Sequence, residues 1–109
     1  MEVKRAAALT AFAAHTMTKV SLFETRRFFC DLYCFEPGQV QKGHIHPGED
    51  KVYFVLEGRG RFTVGTEEAT LGAMEATLAP AGVPHGVVND GPGRLVVLVF
   101  MAPHPSPGG

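Results

Sequence analysis

The chain has 109 residues, 45% hydrophobic and 19% charged, with a net charge of -1. That supports one domain around a single apolar core. It excludes an electrostatic footprint for nucleic acid, because Arg5, Arg26, Arg27, Arg59, Arg61 and Arg94 are scattered rather than blocked together. No apolar run approaches the roughly 20 residues of a membrane span.

Lys4 and Arg5 open an Ala-rich tract, but Thr10, His15, Thr16 and Thr18 break it before the apolar core of a signal peptide can form. The expected location is therefore cytoplasmic. Cys30 and Cys34 fit that reading as small core side chains in a reducing compartment. In the same tract Leu9, Phe12, Ala13, Met17 and Val20 recur at spacings of three and four, which predicts a helical segment packed outside the domain.

From about Thr25 the period changes to two. Phe28, Cys30, Leu32 and Cys34 fall on one face of a strand, and Phe29, Asp31, Tyr33 and Phe35 on the other. Glu36-Pro37-Gly38 turns the chain, and residues 39–46 read as the next strand, broken by Pro47-Gly48. The β-rich run Val52-Tyr53-Phe54-Val55-Leu56 ends at Gly58. Strands follow at 61–64, 69–71 and 74–79, then a rigid corner, Pro80-Ala81-Gly82-Val83-Pro84, and a strand at 85–89. Residues 94–101 look like a strand buried on both faces. About eight short strands with frequent turns and no interleaved helices predict an antiparallel sandwich or barrel. The expected limits are an N-terminal segment over 1–24, a barrel over 25–102 and a flexible tail over 103–109.

Two stretches carry candidate chemistry. On an extended strand His44 and His46 point the same way, which makes half of a metal site. His85 follows two prolines and a glycine that stiffen its approach. His15 and His104 lie outside both stretches and read as surface residues.

Together these stretches resemble the cupin superfamily. The first motif of that superfamily runs from a glycine through His-x-His and a glutamate to a closing glycine; Gly38, His44, His46 and Gly58 stand in register with it. The second is matched by Gly72, Pro80, Gly82, His85 and Asn89. The resemblance implies an all-β fold, a double-stranded β-helix or jelly-roll barrel, here with a short N-terminal helical segment. It implies that His44, His46 and His85 hold one divalent transition metal ion, such as Zn, Mn, Fe, Ni or Cu. It also implies a homodimer.

One position departs from the pattern. The motif glutamate falls on Lys51 or, with one residue fewer after His46, on Asp50; register against Gly58 favours Lys51 facing inward. Lys51 inside the barrel is either a base or an anion-binding group, and Tyr53 shares its face as a second acid–base or substrate-positioning candidate. The other reading of Lys51 is a solvated lysine at the barrel mouth beside Asp50 or Glu49. Alternation adds Val55, and around the histidines Val40 and Lys42, to the inward set. Phe62, Val64, Met74, Val87, Leu98 and Phe100 complete the expected pocket. The function implied is a metal-dependent enzyme of dioxygenase or isomerase type acting on a small organic molecule, or else a non-catalytic module that binds a small ligand or metal for a biosynthetic pathway.

Overall fold

The period-two segments form strands in the computed structural model, which describes residues 1–105 and, of His44, the backbone alone. Among the described residues the chain runs α1 (Ala6–Leu9), β1 (Thr18–Glu24), β2 (Phe29–Phe35), β3 (Val40–His44), β4 (Asp50–Glu57), β5 (Arg59–Val64), β6 (Glu67–Gly72), β7 (Ala76–Ala79), β8 (His85–Val88) and β9 (Leu95–Ala102). All pairings are antiparallel. One sheet has the order β1-β2-β9-β4-β7 and the other β3-β8-β5-β6. The expected jelly-roll architecture is therefore present.

The two sheets close on one core: Tyr33, Phe35, Tyr53, Val55, Phe62, Val87, Leu95, Val97 and Val99 are buried together. A second apolar layer lies behind the five-stranded sheet. There Leu22, Leu32, Cys34 and Val96 are covered in part by Ala6, Leu9 and Phe12 of the N-terminal segment. Each of the larger apolar side chains contributes roughly 1.5–3 kcal/mol by leaving water.

The expected short N-terminal helix is present, at Ala6–Leu9. The helix is a single turn whose Arg5 cap position makes no side-chain hydrogen bond, and such a short helix holds little stability of its own. Thr18–Glu24 is a strand, because Val20 and Leu22 face the second apolar layer while Lys19 and Ser21 face away from it. It pairs with β2 from Thr18 opposite Cys34 to Glu24 opposite Phe29. The last residues also differ from a free tail at first: the His104 side chain is 15% exposed and meets Glu24 at 2.5 Å. Residues 106–109 lie outside the described part of the chain.

The motif glycine at position 58 has a local cause. Gly58 has φ +78, and a Cβ there would stand 2.1 Å from the Arg94 carbonyl oxygen. Only glycine allows β4 to turn into β5 that close to the start of β9. Asn89, fully buried, holds the neighbouring loop by donating to the carbonyls of Phe35 and Gly93 and accepting from the Gly91 N–H. Both motif residues are thus parts of the frame.

Candidate functional site

Two elements bring the histidines together. Across β3 and β8, His44 stands opposite His85 in register. His46 lies just beyond β3, and its carbonyl accepts a hydrogen bond from the Gly82 N–H at 2.8 Å. Asp50 adds a second stitch, its Oδ1 accepting from the Ala81 N–H at 2.9 Å. The rigid corner before His85 is thereby tied to the loop after His46. The His46 and His85 rings stack with centroids 5.4 Å apart. His85 is 3% exposed. Its Nδ1 lies 3.0 Å from the Val83 carbonyl oxygen. A carbonyl only accepts, so Nδ1 carries the proton, and in the neutral ring Nε2 carries the lone pair. The side chain of His44 lies outside the described residues.

Asp50 and Lys51 part company as strand geometry requires. Asp50 is exposed and serves the corner, whereas Lys51 is 2% exposed and faces inward. Its Nζ lies 5.0 Å from the ring centroid of Tyr33 and 5.3 Å from that of Tyr53. Among the described residues no ion pair holds this ammonium. Burial, and then repulsion from Lys19, push its pKa down to about 8, with attraction from Asp31 acting against them. Asp31 is itself raised, by burial first and then by Glu24, against the pull of Lys19, Lys51 and His104. Burial likewise pushes the Tyr33 and Tyr53 hydroxyls up, so both remain protonated.

A cavity of about 250 Å³ opens beside these groups, lined by Lys19, Tyr33, Gln41, His46 and Lys51, with Phe29, Met101 and Pro105 at its apolar side. Tyr53 donates to Gln41 Oε1 at 2.9 Å. Gln41 is 5% exposed, and its Nε2 is buried without a hydrogen-bond partner. The Gln41 amide also acts on Tyr33, lowering the pKa of its hydroxyl against burial and the nearby Asp31 charge.

Several expected pocket residues are elsewhere. Val40 is 43% exposed and Lys42 is exposed, whereas Gln41 is inside. A bulge between Gln41 and His44 shifts the alternation. Gly43 and Gly86 permit it, since a Cβ on Gly43 would come 3.2 Å from the His85 carbonyl oxygen and one on Gly86 3.1 Å from the Gly43 nitrogen. Leu98 and Phe100 lie on the outer face of β9, behind Leu95, Val97, Val99 and Met101, which point in. Met74 is 73% exposed in a turn, at φ 71. Tyr53, Val55, Phe62 and Val87 are inside as expected, with Val64 packed against them. Tyr33, Asp31, Gln41 and Lys19 join the site beyond the expected set. The alternation of residues 28–35 already puts Asp31 and Tyr33 on one face, and the small pair Gly43 and Gly86 is the available sign of the bulge.

The donor set fits a divalent transition ion only in part. His85 suits one, with its far nitrogen tied to a carbonyl and its near nitrogen carrying the lone pair. Lys51 does not, because it puts a cation where the motif has its carboxylate ligand. Among the described residues no three His, Cys, Asp or Glu side chains form a metal-sized group.

The cupin domain model matches residues 31–101. The chain is 26% identical over 88 residues to an oxalate-binding protein of Thermotoga maritima, spanning 81% of this chain and 72% of that one. Its fold is similar to the crystal structure of TT1209 from Thermus thermophilus, with TM-score 0.93 and 44% identity over 95% of this chain and 99% of that one. It is also similar to KdgF from Halomonas sp., with TM-score 0.72 and 25% identity over 80% and 78% of the two chains. No helix among the described residues is long and apolar enough to cross a membrane.

Proposed function

The chain belongs to the cupin family, and from that premise we propose that it binds a small organic anion inside the barrel, with Lys51 supplying the opposing charge. One observation carries the reading: an ammonium that is 2% exposed and has no ion-pair partner among the described residues lines the cavity. A buried charge costs several kcal/mol unless something pairs with it. A ligand carboxylate is the missing partner, and the Gln41 Nε2–H is a ready second donor. The aromatic walls suit a planar anion with an apolar edge. Similarity to an oxalate-binding protein supports the same ligand class.

Calorimetric titration with oxalate, malonate and acetate, beside the uncharged diamide oxamide, tests the proposal. The acids bind at one per chain and oxamide does not. If no acid binds at millimolar concentration, or oxamide binds as well as oxalate, the reading falls.

The second reading is a metal-dependent reaction, favoured by the His85 tautomer. His44, His46 and His85 would hold the ion, which when bound supplies a Lewis acid to a ligand oxygen. Lys51 would hold the anion at its far end, and Tyr53 would act behind it by positioning Gln41. Metal analysis of protein kept from chelators and nickel resin tests this. Below about a tenth of an equivalent, with no uptake on titration, the metal reading is lost.

A further inference from the structure

We propose that Lys51 is also a nucleophile, its amine condensing with the carbonyl carbon of a small 2-oxo acid held in the same cavity. The proposal rests on the anion reading, because the carboxylate of the oxo acid is what draws it in. It asks more of the site, because an anion needs only a charge whereas a carbonyl needs an amine with an accessible lone pair.

Three placements carry it. The amine is enclosed by two tyrosine rings, and among the described residues no carboxylate is ion-paired with it. An amine in such surroundings gives up its proton more readily than one in water. Lys19 brings a second ammonium to the same ring, 5.1 Å from the Tyr33 centroid where Lys51 Nζ is 5.0 Å away, so the two nitrogens are at most 10.1 Å apart. Lys19 is the exposed member at the rim and Lys51 the enclosed one. A molecule with a carboxylate at one end and a carbonyl beside it can be held by the first and react with the second. The third placement is Gln41, a residue of the cavity wall at 5% exposure whose amide nitrogen is buried without a hydrogen-bond partner. An uncommitted donor in a dry site suits an oxygen that gains charge as the carbonyl is attacked.

The step balances without an oxidant or reductant. The lone pair of Nζ forms the N–C bond while the carbonyl π pair moves onto oxygen. The proton lost from nitrogen reaches that oxygen, giving a carbinolamine. The C–O bond then breaks as the nitrogen lone pair closes the C=N bond, and oxygen leaves as water, its second proton balanced by the one the nitrogen then gives up. Amine and ketone become imine and water. Tyr33 and Tyr53 do not compete as nucleophiles, because burial keeps their hydroxyls protonated.

The test is reductive trapping of the full chain with glyoxylate and sodium cyanoborohydride, followed by peptide mapping, with and without oxalate. Lys4 and Lys42 serve as internal controls for ordinary lysine reactivity. Label is expected on Lys51 roughly tenfold faster than on the controls, and oxalate slows it at Lys51 alone. Lys51→Arg keeps the charge, loses the label and still binds oxalate; Lys51→Met loses both. Label on Lys4 and Lys42 with none on Lys51 overturns the proposal, and so does label at Lys51 that oxalate does not slow. Oxalate binding that depends on Lys51 without label there leaves the anion reading standing and removes only the nucleophile. Absence of both removes the two together.

Discussion

The inward faces of the five-stranded sheet differ from one end of the barrel to the other. At one end Val55 pairs with Val97, and Phe35 with Leu95, all fully buried and all apolar. At the other, Lys51 pairs with Met101, and Tyr53 with Val99, which in turn stands opposite Asp31. The first end lowers the free energy of the fold by burying hydrocarbon. The second buries an ammonium without an ion pair among the described residues, which raises it. One sheet therefore carries both a stabilising end and a costly one, and a costly arrangement inside a cavity is where a ligand has most to offset.

Truncating the apolar end separates the two most forcefully. Phe35→Ala should cost about 3–5 kcal/mol in urea unfolding, because it leaves a void between the sheets. Its oxalate affinity, measured where the variant is still folded, should match the parent. A loss of affinity in the folded variant would mean that the two ends are not independent.

Lys51→Met should act with the opposite sign. The folded pKa of about 8 lies below the ordinary value of 10.5. A depressed lysine destabilises the fold while charged in both states, that is below about pH 8. Between about pH 8 and 10.5 the folded state has lost its proton and the unfolded state has not, so wild-type stability rises with pH across that window. Removing the charge should thus stabilise the protein by at most about 3 kcal/mol at pH 7. The gain should shrink to nothing above pH 10.5. Thermal unfolding of both proteins across this range checks the sign, and a gain independent of pH would show that packing, not charge, is responsible.

Lys51→Glu restores the motif carboxylate. Affinity for Zn or Mn should rise roughly tenfold or more, since a cation beside the histidines becomes an anion. Unchanged affinity would mean that the Lys51 position does not face the histidines. The smallest effect should come from Val40→Ser, just outside the bulge. An exposed side chain of that kind is expected to change stability by less than about 0.5 kcal/mol and leave oxalate binding untouched.

How much of this could be read in advance follows from how each strand is marked. The histidine and glycine spacings reported the fold well, because Gly58 and Asn89 are there for close approach and loop closure and tolerate little else. Counting back from Gly58 also put Lys51 on the inner face, since nothing interrupts β4 as far as Val55. Counting failed in β3, where the Gly43 bulge shifts the phase and replaces Val40 and Lys42 by Gln41. It failed in β9 for another reason. Every residue from Leu95 to Met101 is apolar, so the pattern carries no phase and cannot say that Leu98 and Phe100 face out. In the N-terminal tract the alanines marked the short helix but not β1, which is held by the edge of β2.

The central claim is that Lys51 is an enclosed amine whose charge a ligand completes. Its most direct test is an NMR pH titration of protein with isotope-labelled lysine side chains, with and without saturating oxalate. One lysine signal is expected with a midpoint near 8 that is missing from Lys51→Met and moves to higher pH when oxalate binds. A Lys51 signal that titrates in the ordinary lysine range of about 10.4 and does not respond to oxalate would contradict it.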